Sequence, residues 1–458
     1  MIVELIAFEV KYRLSKVGMV LRKCKVLIQY RLMYLITLIA VFKFVSYKIY
    51  NKDHMKPVSK TTDSIPKEVC AFTDESGELG LTPNTVYEPC EHMFVYDDVF
   101  INLRNIILIP EYSSFIYSTE ILHIEQRRLS YKEAYVYSFK LVLQCDQNFD
   151  DDYLEFSPIP GNIKKWIQSR FISNQPLIYS KKVQKPTIAL YRNEITNLYF
   201  AVKDLYNVFL VVNFFQQFPD CETNIVFVEK TVYGEYDRIW ETLFGKIQRI
   251  ASFESPVLYE NLIWIMPNTG PMCDKRVKNM PLVESFRSFV LKRHEIQIDY
   301  KKNCNKLNTV LIVNKNNVQQ YKQSNITKRN IRNDDELFDA INRLFPKLKV
   351  KVIEFDNFSI KQQLSYISRT DILIGMHETG MTHVLFLPKN SGVIELFPKD
   401  IQTINNKYKT LARSRGLVYY SWQNVQEWND FPYDGSTYIP VNVIVTLLRQ
   451  IVKKICQR

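Results

Sequence analysis

The sequence of 458 residues has few glycines and lacks several patterns that would define a function at once. Only 12 residues are glycine, and the eight cysteines include no C-x-x-C pair and no cysteine–histidine spacing typical of zinc ligands. No internal repeat or low-complexity tract is present, which argues against a repeat array. A hydrophobic content of 46% with 28 Tyr and 28 Phe predicts a folded, aromatic-rich protein.

The net charge of +12 is concentrated near the N-terminus. Residues 1–56 carry eight of these positive charges, so the rest of the chain carries four. No basic stripe, nucleic-acid recognition motif or stacking platform stands out in that remainder. We therefore expect no nucleic-acid partner.

One apolar run follows the basic tail of residues 1–31. Residues 32–47 read LMYLITLIAVFKFVSY and contain a single charge. A spanning helix needs about 20 apolar residues, so an amphipathic or buried helix is the alternative interpretation. We predict a signal-anchor helix over 32–50 and a polar stem over 51–66, in a type II arrangement with a lumenal body. No cleavage site is evident, so we expect the anchor to be retained in the endoplasmic reticulum or Golgi membrane.

Cysteines and sequons fit a lumenal body. With Cys24 on the cytosolic side, seven cysteines remain, and an odd number leaves at least one free thiol. The preferred disulfide is Cys70 with Cys90, because both precede the first regular domain. Two sequons, at Asn325 and Asn357, are candidate glycosylation sites.

Strands and helices alternate along the second half of the chain. Apolar strands are predicted at 309–313, 350–353 and 371–376, with helices between them at 334–344 and 359–367. Such alternation implies right-handed crossovers and a parallel sheet. The sequence therefore predicts an α/β fold.

The first half shows a similar but weaker pattern. Its clearest elements are a strand at 187–190, an apolar helix at 204–218 that should be buried, and a strand at 225–228. A polar, charged stretch separates the two halves near residue 295. We predict two Rossmann-like domains facing a cleft, over 67–295 and 296–425, followed by a tail and last helix over 426–458.

The most informative segment is residues 371–398, DILIGMHETGMTHVLFLPKNSGVIELFP. It predicts a buried strand at 372–376, a turn at 377–380, a short helix at 381–387 and a second strand at 393–397. A strand that ends in a polar turn and opens a helix presents backbone N–H groups to a phosphate. Taken alone, the same pattern is more often plain architecture.

The text of this segment resembles the signature of glycosyltransferase family 61, which is close to G-x-H-G-A-G-L-T-H-x-x-F-L-P…E-L. Upstream, 329–337 resembles the family's R-x-x-x-N-x-x-E-L, and downstream 408–424 resembles the animal members. The resemblance covers roughly residues 187–453. The matching signature residues are Gly375, His377, Gly380, Thr382, His383, Phe386, Leu387, Pro388, Glu395 and Leu396.

This resemblance implies a GT-B arrangement and an inverting transfer from a UDP-sugar. The last helix of such enzymes commonly returns to the first domain. Phosphate charge is balanced by a helix N-terminus and by cationic side chains. Lys315 stands where relatives usually carry Arg, Glu395 is the candidate ribose ligand, and His377 is also a candidate catalytic residue. The candidate donor-binding residues are Lys315, Arg329, His377, Gly380, Thr382 and Glu395.

The acceptor side of the resemblance is thinner. Asn197 and Asp204 match a family segment written N-x-x-H-x-x-x-D, but Phe200 replaces the histidine. Asp204 is the candidate general base or base-orienting acid, and a structural helix cap is the alternative. The metal-binding Asp-x-Asp of other transferases is missing near 225–236. We therefore expect a metal-independent enzyme without a cofactor.

Three hypotheses follow. The first is a type II membrane glycosyltransferase that moves N-acetylglucosamine from UDP-GlcNAc to a protein-linked acceptor, either O-linked mannose or a Ser or Thr hydroxyl. The second is an inactive relative that binds a glycan or a client protein, favoured by Glu378 beside the phosphate site and by Phe200. The third, a basic membrane-tethered interaction protein of unrelated fold, is disfavoured by the family text. Oligomeric state is left open.

Overall fold

A computed structural model describes about two thirds of the chain. The predicted tail, anchor and stem lie outside the described residues, as do Cys70, Lys315 and Asn325. The described residues are 85–110, 139–145, 149, 151–173, 176–192, 194–215, 223–229, 234, 236–272, 277, 279–313, 329–401, 406–432 and 434–457.

The chain divides into two compact units. The larger consists of Thr62–Asp151 and Ile159–Arg458 and contains the three sheets and the cavity described below. The smaller unit includes Asp152–Pro158. This segment contains most of the first described helix, Asp151–Phe156. The nine α-helices of the described residues are α1 Asp151–Phe156, α2 Gly161–Arg170, α3 Leu198–Phe215, α4 Asp237–Phe244, α5 Val283–Arg293, α6 Asp334–Leu344, α7 Ile360–Ile367, α8 Lys407–Ser414 and α9 Val441–Cys456. Four 3-10 helices span Ile250–Ser252, Phe355–Asn357, Thr379–Phe386 and Glu427–Asn429.

The first sheet has ten strands. Seven lie in the order β1-β2-β3-β10-β7-β8-β9, while β4 pairs with β3 and β5, and β6 pairs with β10. The strands are β1 Val86–Cys90, β2 Met93–Tyr96, β3 Phe100–Pro110, β4 Phe139–Leu143, β5 Phe171–Ser173, β6 Lys181–Val183, β7 Thr187–Leu190, β8 Asn224–Phe227, β9 Ile247–Arg249 and β10 Val257–Ile265.

This sheet is mixed rather than wholly parallel. The long strands β3 and β10 are antiparallel, whereas β10, β7, β8 and β9 run parallel to one another. The predicted strands 187–190 and 225–228 correspond to β7 and β8. The antiparallel half differs from a simple Rossmann-like domain, and the two-domain GT-B arrangement stays a prediction.

Helix α3 is apolar on nearly every side. It begins at Leu198, six residues before the predicted start, and its residues through Asn213 are buried except Phe200, which is partly buried. Among the described residues, it is the one helix long and apolar enough to cross a membrane, but 83% of that window is buried inside the protein. Such burial identifies α3 as a core helix, as its hydrophobic pattern predicts.

The second sheet is parallel throughout, with the order β13-β11-β14-β15-β16. The order reverses between β11 and β14, which is the topological switch point of an open α/β sheet. The predicted helix 334–344 and strand 372–376 have the bounds of α6 and β14. The strands are β11 Leu307–Ile312, β13 Leu348–Ile353, β14 Ile372–Met376, β15 Gly392–Phe397 and β16 Val418–Gln423. A small third sheet contains β12 Asn330–Ile331, β17 Asp430–Phe431 and β18 Ser436–Thr437.

Helices cover both faces of the second sheet. The apolar residues of α6 and α9 share one core with the sheet, and those of α7, α8 and Thr379–Phe386 join a second core that includes α3 and α5. The last helix, α9, therefore packs on β15, β16 and α6. Its buried side chains contact the second sheet, and its return to the first domain stays a prediction.

Two disulfides are present among the described cysteines. Cys90 bonds to Cys145, with their Cα atoms 5.7 Å apart, so the predicted pairing of Cys70 with Cys90 is wrong. Cys90 ends β1, and Cys145 lies two residues after β4, which joins β1 in one sheet. The second disulfide joins Cys304 to Cys456 and fixes the end of α9 beside the start of the second sheet.

Candidate donor-binding site

A cavity of about 630 Å³ lies at the switch point of the second sheet. Ile312 and Met376, at the carboxyl ends of β11 and β14, form its floor. Open α/β sheets bind their ligands at this position, outside the carboxyl ends of the strands on either side of the reversal. The predicted site segment therefore forms one wall of a cavity large enough for a nucleotide-sized ligand.

Two helix N-termini face this cavity. Helix α7 begins after Ser359, whose hydroxyl accepts from the Gln362 N–H at 3.4 Å, while the Gln362 side chain accepts from the Ser359 N–H at 2.9 Å. This capping box follows from the S-x-x-Q text. The second helix N-terminus belongs to the 3-10 helix Thr379–Phe386, hereafter the signature helix. Its first residues, Thr379 and Gly380, line the cavity.

Two buried arginines hold the other end of the signature helix. The Arg415 guanidinium donates to the carbonyls of Leu385 and Leu387, the latter at 2.9 Å, and Arg287 donates to the carbonyl of Phe386 at 3.1 Å. Burial lowers the pKa of both arginines, that of Arg287 to about 10. Cations at a helix C-terminus satisfy its last carbonyls and stabilise its dipole.

Glu378 caps the signature helix and pairs with Arg329. Its Oε1 accepts from the Arg329 backbone N–H at 2.9 Å and from Arg329 Nη1 at 3.2 Å, and its Oε2 accepts from the Thr379 N–H at 3.2 Å. Arg329 Nη1 also donates to the His377 carbonyl at 3.1 Å. Arg329 and Glu378 both line the cavity. The arginine predicted to meet a pyrophosphate therefore meets a carboxylate of its own chain in this structure.

His377 is held by a buried carboxylate. Its Nδ1 hydrogen-bonds Glu395 Oε1, and Glu395 Oε2 accepts from the Tyr419 hydroxyl at 2.5 Å. The imidazole stacks on Phe397 with ring centres 4.8 Å apart and meets the edge of Tyr408. Burial and then the charge of Glu395 raise the pKa of Tyr419. Glu395 is fully buried, so it orients His377 instead of lining the cavity as the predicted ribose ligand.

The second histidine of the signature, His383, lies in the cavity wall. Its Nδ1 is 2.8 Å from the Gly380 carbonyl and its Nε2 is 2.9 Å from Gln363 Oε1, while Phe355 stacks on the ring. Two acceptors favour a protonated ring, but burial favours the neutral one. Burial dominates and lowers the pKa of His383 to about 4.

The opposite wall comes from helices of the first half of the chain. Arg238 on α4 and Arg293 at the end of α5 add two cations, and His294 follows. His294 is 7% exposed, and its Nε2 has no hydrogen-bond partner among the described residues. Burial, and then Lys361, lower the pKa of His294. No signal in the sequence marked these three residues, because they lie outside 329–337, 371–398 and 408–424, the segments whose motifs resemble the family.

Asp204 does not line the cavity. It lies within α3, is 6% exposed and pairs through Oδ1 with Lys203 Nζ at 3.1 Å. Burial raises the pKa of Asp204. A second carboxylate, Glu194, is half-buried on the loop between β7 and α3, and burial raises its pKa as well. In the sequence, the position of Glu194 just after a predicted strand was the feature that could have marked it as a candidate site residue.

Three buried charges and the partly buried Arg249 lie at the carboxyl ends of β7, β8 and β9. Arg192 donates to Glu229 Oε1 at 2.6 Å and also binds Asp237, which Arg249 binds in turn. Both arginines lie against the Phe227 ring, Arg192 at 3.7 Å. Because each charge is paired, we interpret this cluster as an ion-pair network that stabilises the start of α4.

The predicted site residues thus separate into two groups. Arg329 and Gly380 line the cavity, whereas His377, Thr382 and Glu395 lie behind its wall. The Asn357 sequon is exposed in the 3-10 helix beside the cavity-lining residue Phe358. Among the described residues, no group of three or more His, Cys, Asp or Glu is placed to hold a metal ion.

Fold and cavity together define a doubly wound α/β protein with a binding site at the switch point of its parallel sheet. The sequence profile described as Glycosyltransferase 61 matches residues 272–394, which include β11, β14 and the signature helix. The chain is a relative of glycosyltransferase family 61.

Three relatives illustrate the similarity. The EGF domain-specific O-linked N-acetylglucosamine transferase of Drosophila melanogaster is 27% identical over 256 residues, which cover 53% of this chain and 46% of that protein. The Beta-1,2-xylosyltransferase RCN11 of Oryza sativa subsp. japonica is 23% identical over 301 residues, or 60% and 54%. The EGF domain-specific transferase of Rattus norvegicus is 36% identical over 108 residues, or 23% and 19%. The chain spans about half the length of the first two relatives.

Proposed function

We propose that this chain is a glycosyltransferase that transfers N-acetylglucosamine from UDP-GlcNAc to a protein-linked hydroxyl. The observation that carries the proposal is the cavity of about 630 Å³ at the switch point of the parallel sheet, within the family-matching segment. Cavities of a few hundred Å³ enclose ligands of nucleotide size. The names of the animal relatives favour N-acetylglucosamine, and that of the rice relative makes UDP-xylose the alternative donor.

Phosphate binding in this proposal uses the protein's own charges. The N-terminus of the signature helix faces the β-phosphate, and Arg329, Arg238 and Arg293 balance its charge from two walls. His377, held by Glu395 behind the cavity wall, supports the turn at the end of β14, and Gly380 lets the backbone approach the donor. Lys315, which lies outside the described residues, remains a predicted donor-binding cation. These cations would make a divalent metal unnecessary, so we expect donor binding to persist in EDTA.

The reaction is a single displacement with inversion. The acceptor oxygen bonds to the anomeric carbon as the bond from that carbon to the phosphate oxygen breaks, and UDP leaves with the electron pair. A carboxylate takes the acceptor proton. Glu194 fits this role better than Asp204, because it lies half-buried on the loop just before α3, whose first residue, Leu198, lines the cavity, and burial raises its pKa. Asp204 is instead buried against Lys203. Asp204 then stabilises α3.

The proposed setting is the lumen of the endoplasmic reticulum or Golgi, with the chain anchored through residues 32–50. Two disulfides, Cys90–Cys145 and Cys304–Cys456, support an oxidising compartment. The animal relatives named for EGF domains favour a Ser or Thr hydroxyl over O-linked mannose as the acceptor. Glycosylation of Asn357, if the body is lumenal, would test the same topology.

A second candidate function is a non-catalytic relative that binds a glycan or a client protein. The Arg329–Glu378 pair favours it, because an internal carboxylate lies where a donor phosphate would lie. Replacement of the family's histidine by Phe200 points the same way. Donor affinity separates the two functions.

The test is a calorimetric titration of the purified protein with UDP-GlcNAc, UDP-xylose and UDP, with and without EDTA. Metal-independent binding of a UDP-sugar, followed by transfer to an EGF-domain protein, supports the enzyme. A folded protein that binds no UDP-sugar refutes the donor site and leaves the non-catalytic function. Binding that vanishes in EDTA contradicts the proposed role of the arginines.

A further inference from the structure

Two ion pairs line the cavity, and they differ in their surroundings. The first is Arg329 with Glu378, 3.2 Å apart, and their side chains are 33% and 17% exposed. The second is Lys361 with Glu295, 2.7 Å apart, and theirs are 55% and 82% exposed. Water therefore screens the second pair far more than the first. Of the three carboxylates that line the cavity, Glu295, Asp356 and Glu378, Glu378 is the least exposed, so water screens its charge least.

Glu378 also takes up the hydrogen bonds that an anionic ligand would use. The Thr379 N–H belongs to the first residue of the signature helix, and the Arg329 backbone N–H and guanidinium approach from a separate segment. Backbone N–H groups at a helix N-terminus combined with an arginine are a common binding arrangement for phosphate oxygens. Three donors from two segments thus converge on one internal carboxylate.

We infer that Glu378 occupies the phosphate subsite of the donor cavity and sets a weak affinity for nucleoside diphosphates. This inference rests on the proposed function for the identity of the ligand, and on the Glu378 contacts for the subsite. A diphosphate either displaces the carboxylate from Arg329 and Thr379 or binds beside it against its charge. In both cases Glu378 competes with the donor, and it also favours release of the UDP product.

The competition has a measurable size. At separations near 5 Å, in a medium between protein and water, removal of one like charge tightens diphosphate binding roughly ten- to a hundredfold. Glu378→Gln keeps the shape and one acceptor oxygen, which retains the cap on the Thr379 N–H when the new NH2 group is turned towards Arg329. Glu295→Gln is the matched control, because it removes a carboxylate from the same cavity but from the exposed pair. We expect it to change affinity less than about threefold.

The experiment titrates the full chain and both variants with UDP, uridine and inorganic pyrophosphate. We expect Glu378→Gln to bind UDP and pyrophosphate at least about tenfold more tightly, with uridine unchanged. Adding Arg329→Gln to this variant should reverse the gain. Thermal unfolding of each variant confirms that the protein is folded.

The outcomes separate the inference from the function. Equal UDP affinity in the wild type and Glu378→Gln, or an equal gain in Glu295→Gln, overturns the inference while the donor site stands. A protein that binds no uridine nucleotide in any variant refutes the proposed donor. In that case the pyrophosphate titration alone decides whether Glu378 occupies a phosphate subsite.

Discussion

Substitution of Glu395 by Gln should move a proton on the His377 ring. A carboxylate only accepts hydrogen bonds, so His377 Nδ1 and the Tyr419 hydroxyl both donate to Glu395. A carboxamide offers one acceptor and one donor to these two neighbours. The conflict is relieved when His377 shifts its proton to Nε2, because Nδ1 then accepts from the new amide.

The expected loss of stability follows from the same contacts. Two hydrogen bonds to a charged group, about 1.5–3 kcal/mol each, become neutral bonds of about 0.5–1.5 kcal/mol each. The difference is roughly 2–3 kcal/mol, and removal of a buried charge recovers part of it. We therefore expect Glu395→Gln to lower the free energy of unfolding by roughly 1–3 kcal/mol.

The assay is a proton–nitrogen spectrum of protein labelled at histidine, since the chain has six histidines and His377→Gln identifies the resonances of that ring. Wild type should show a protonated Nδ1, and Glu395→Gln a protonated Nε2. Tyr419→Phe removes one bond but leaves the tautomer unchanged, which makes it the control. A variant that keeps both the wild-type tautomer and the wild-type urea midpoint would refute the view that Glu395 orients the ring.

Three further predictions concern stability and catalysis. Because burial lowers the pKa of His383 to about 4, the unfolded chain binds a proton below pH 6.5 that the folded chain refuses. The free energy of unfolding should fall by roughly 3 kcal/mol as the pH is lowered from 6.5 to about 4. In urea unfolding measured across this range, His383→Asn should lack this loss, and a variant with the wild-type pH dependence would contradict the prediction. Arg415→Lys loses the bidentate contact with Glu284 and should lower the free energy of unfolding in urea by roughly 2–4 kcal/mol, at an unchanged m value. A wild-type urea midpoint would contradict the stabilising role of the buried Arg415 guanidinium. Glu194→Gln should abolish transfer with unchanged UDP affinity, while Asp204→Asn should mainly lower stability; the reverse pattern would restore Asp204 as the base.

Local patterns predicted much of the second sheet. Alternating apolar runs gave the bounds of α6 and β14, because each element carries its own hydrophobic period. The tertiary partner of α9 was not readable, since an apolar face does not say which sheet it covers. The bond of Cys90 to Cys145 was equally hidden, because it depends on strand pairing across 55 residues.

The candidate site was predicted in part for a similar reason. The family text located Arg329 and Gly380 on the cavity, since both lie close to the strand ends of the second sheet. Arg238, Arg293 and His294 were missed, because they come from helices that only folding brings to the cavity. Pairing of Glu378 with Arg329 was also hidden, since a sequence does not give the direction of a side chain.

The residues that match the family signature therefore support the structure of the site more than they form its binding surface. Thr382, His383 and Glu395 are buried, and the carboxylate and the second histidine hydrogen-bond other buried groups that hold the signature helix and the His377 ring. Selection for stability alone would keep these residues in an inactive relative. Activity instead depends on side chains that face the cavity, and there Glu378 is the departure with the largest electrostatic effect. The motif thus predicts the fold of this site. The diphosphate affinity of the Glu378 variants tests whether the site binds a nucleotide donor.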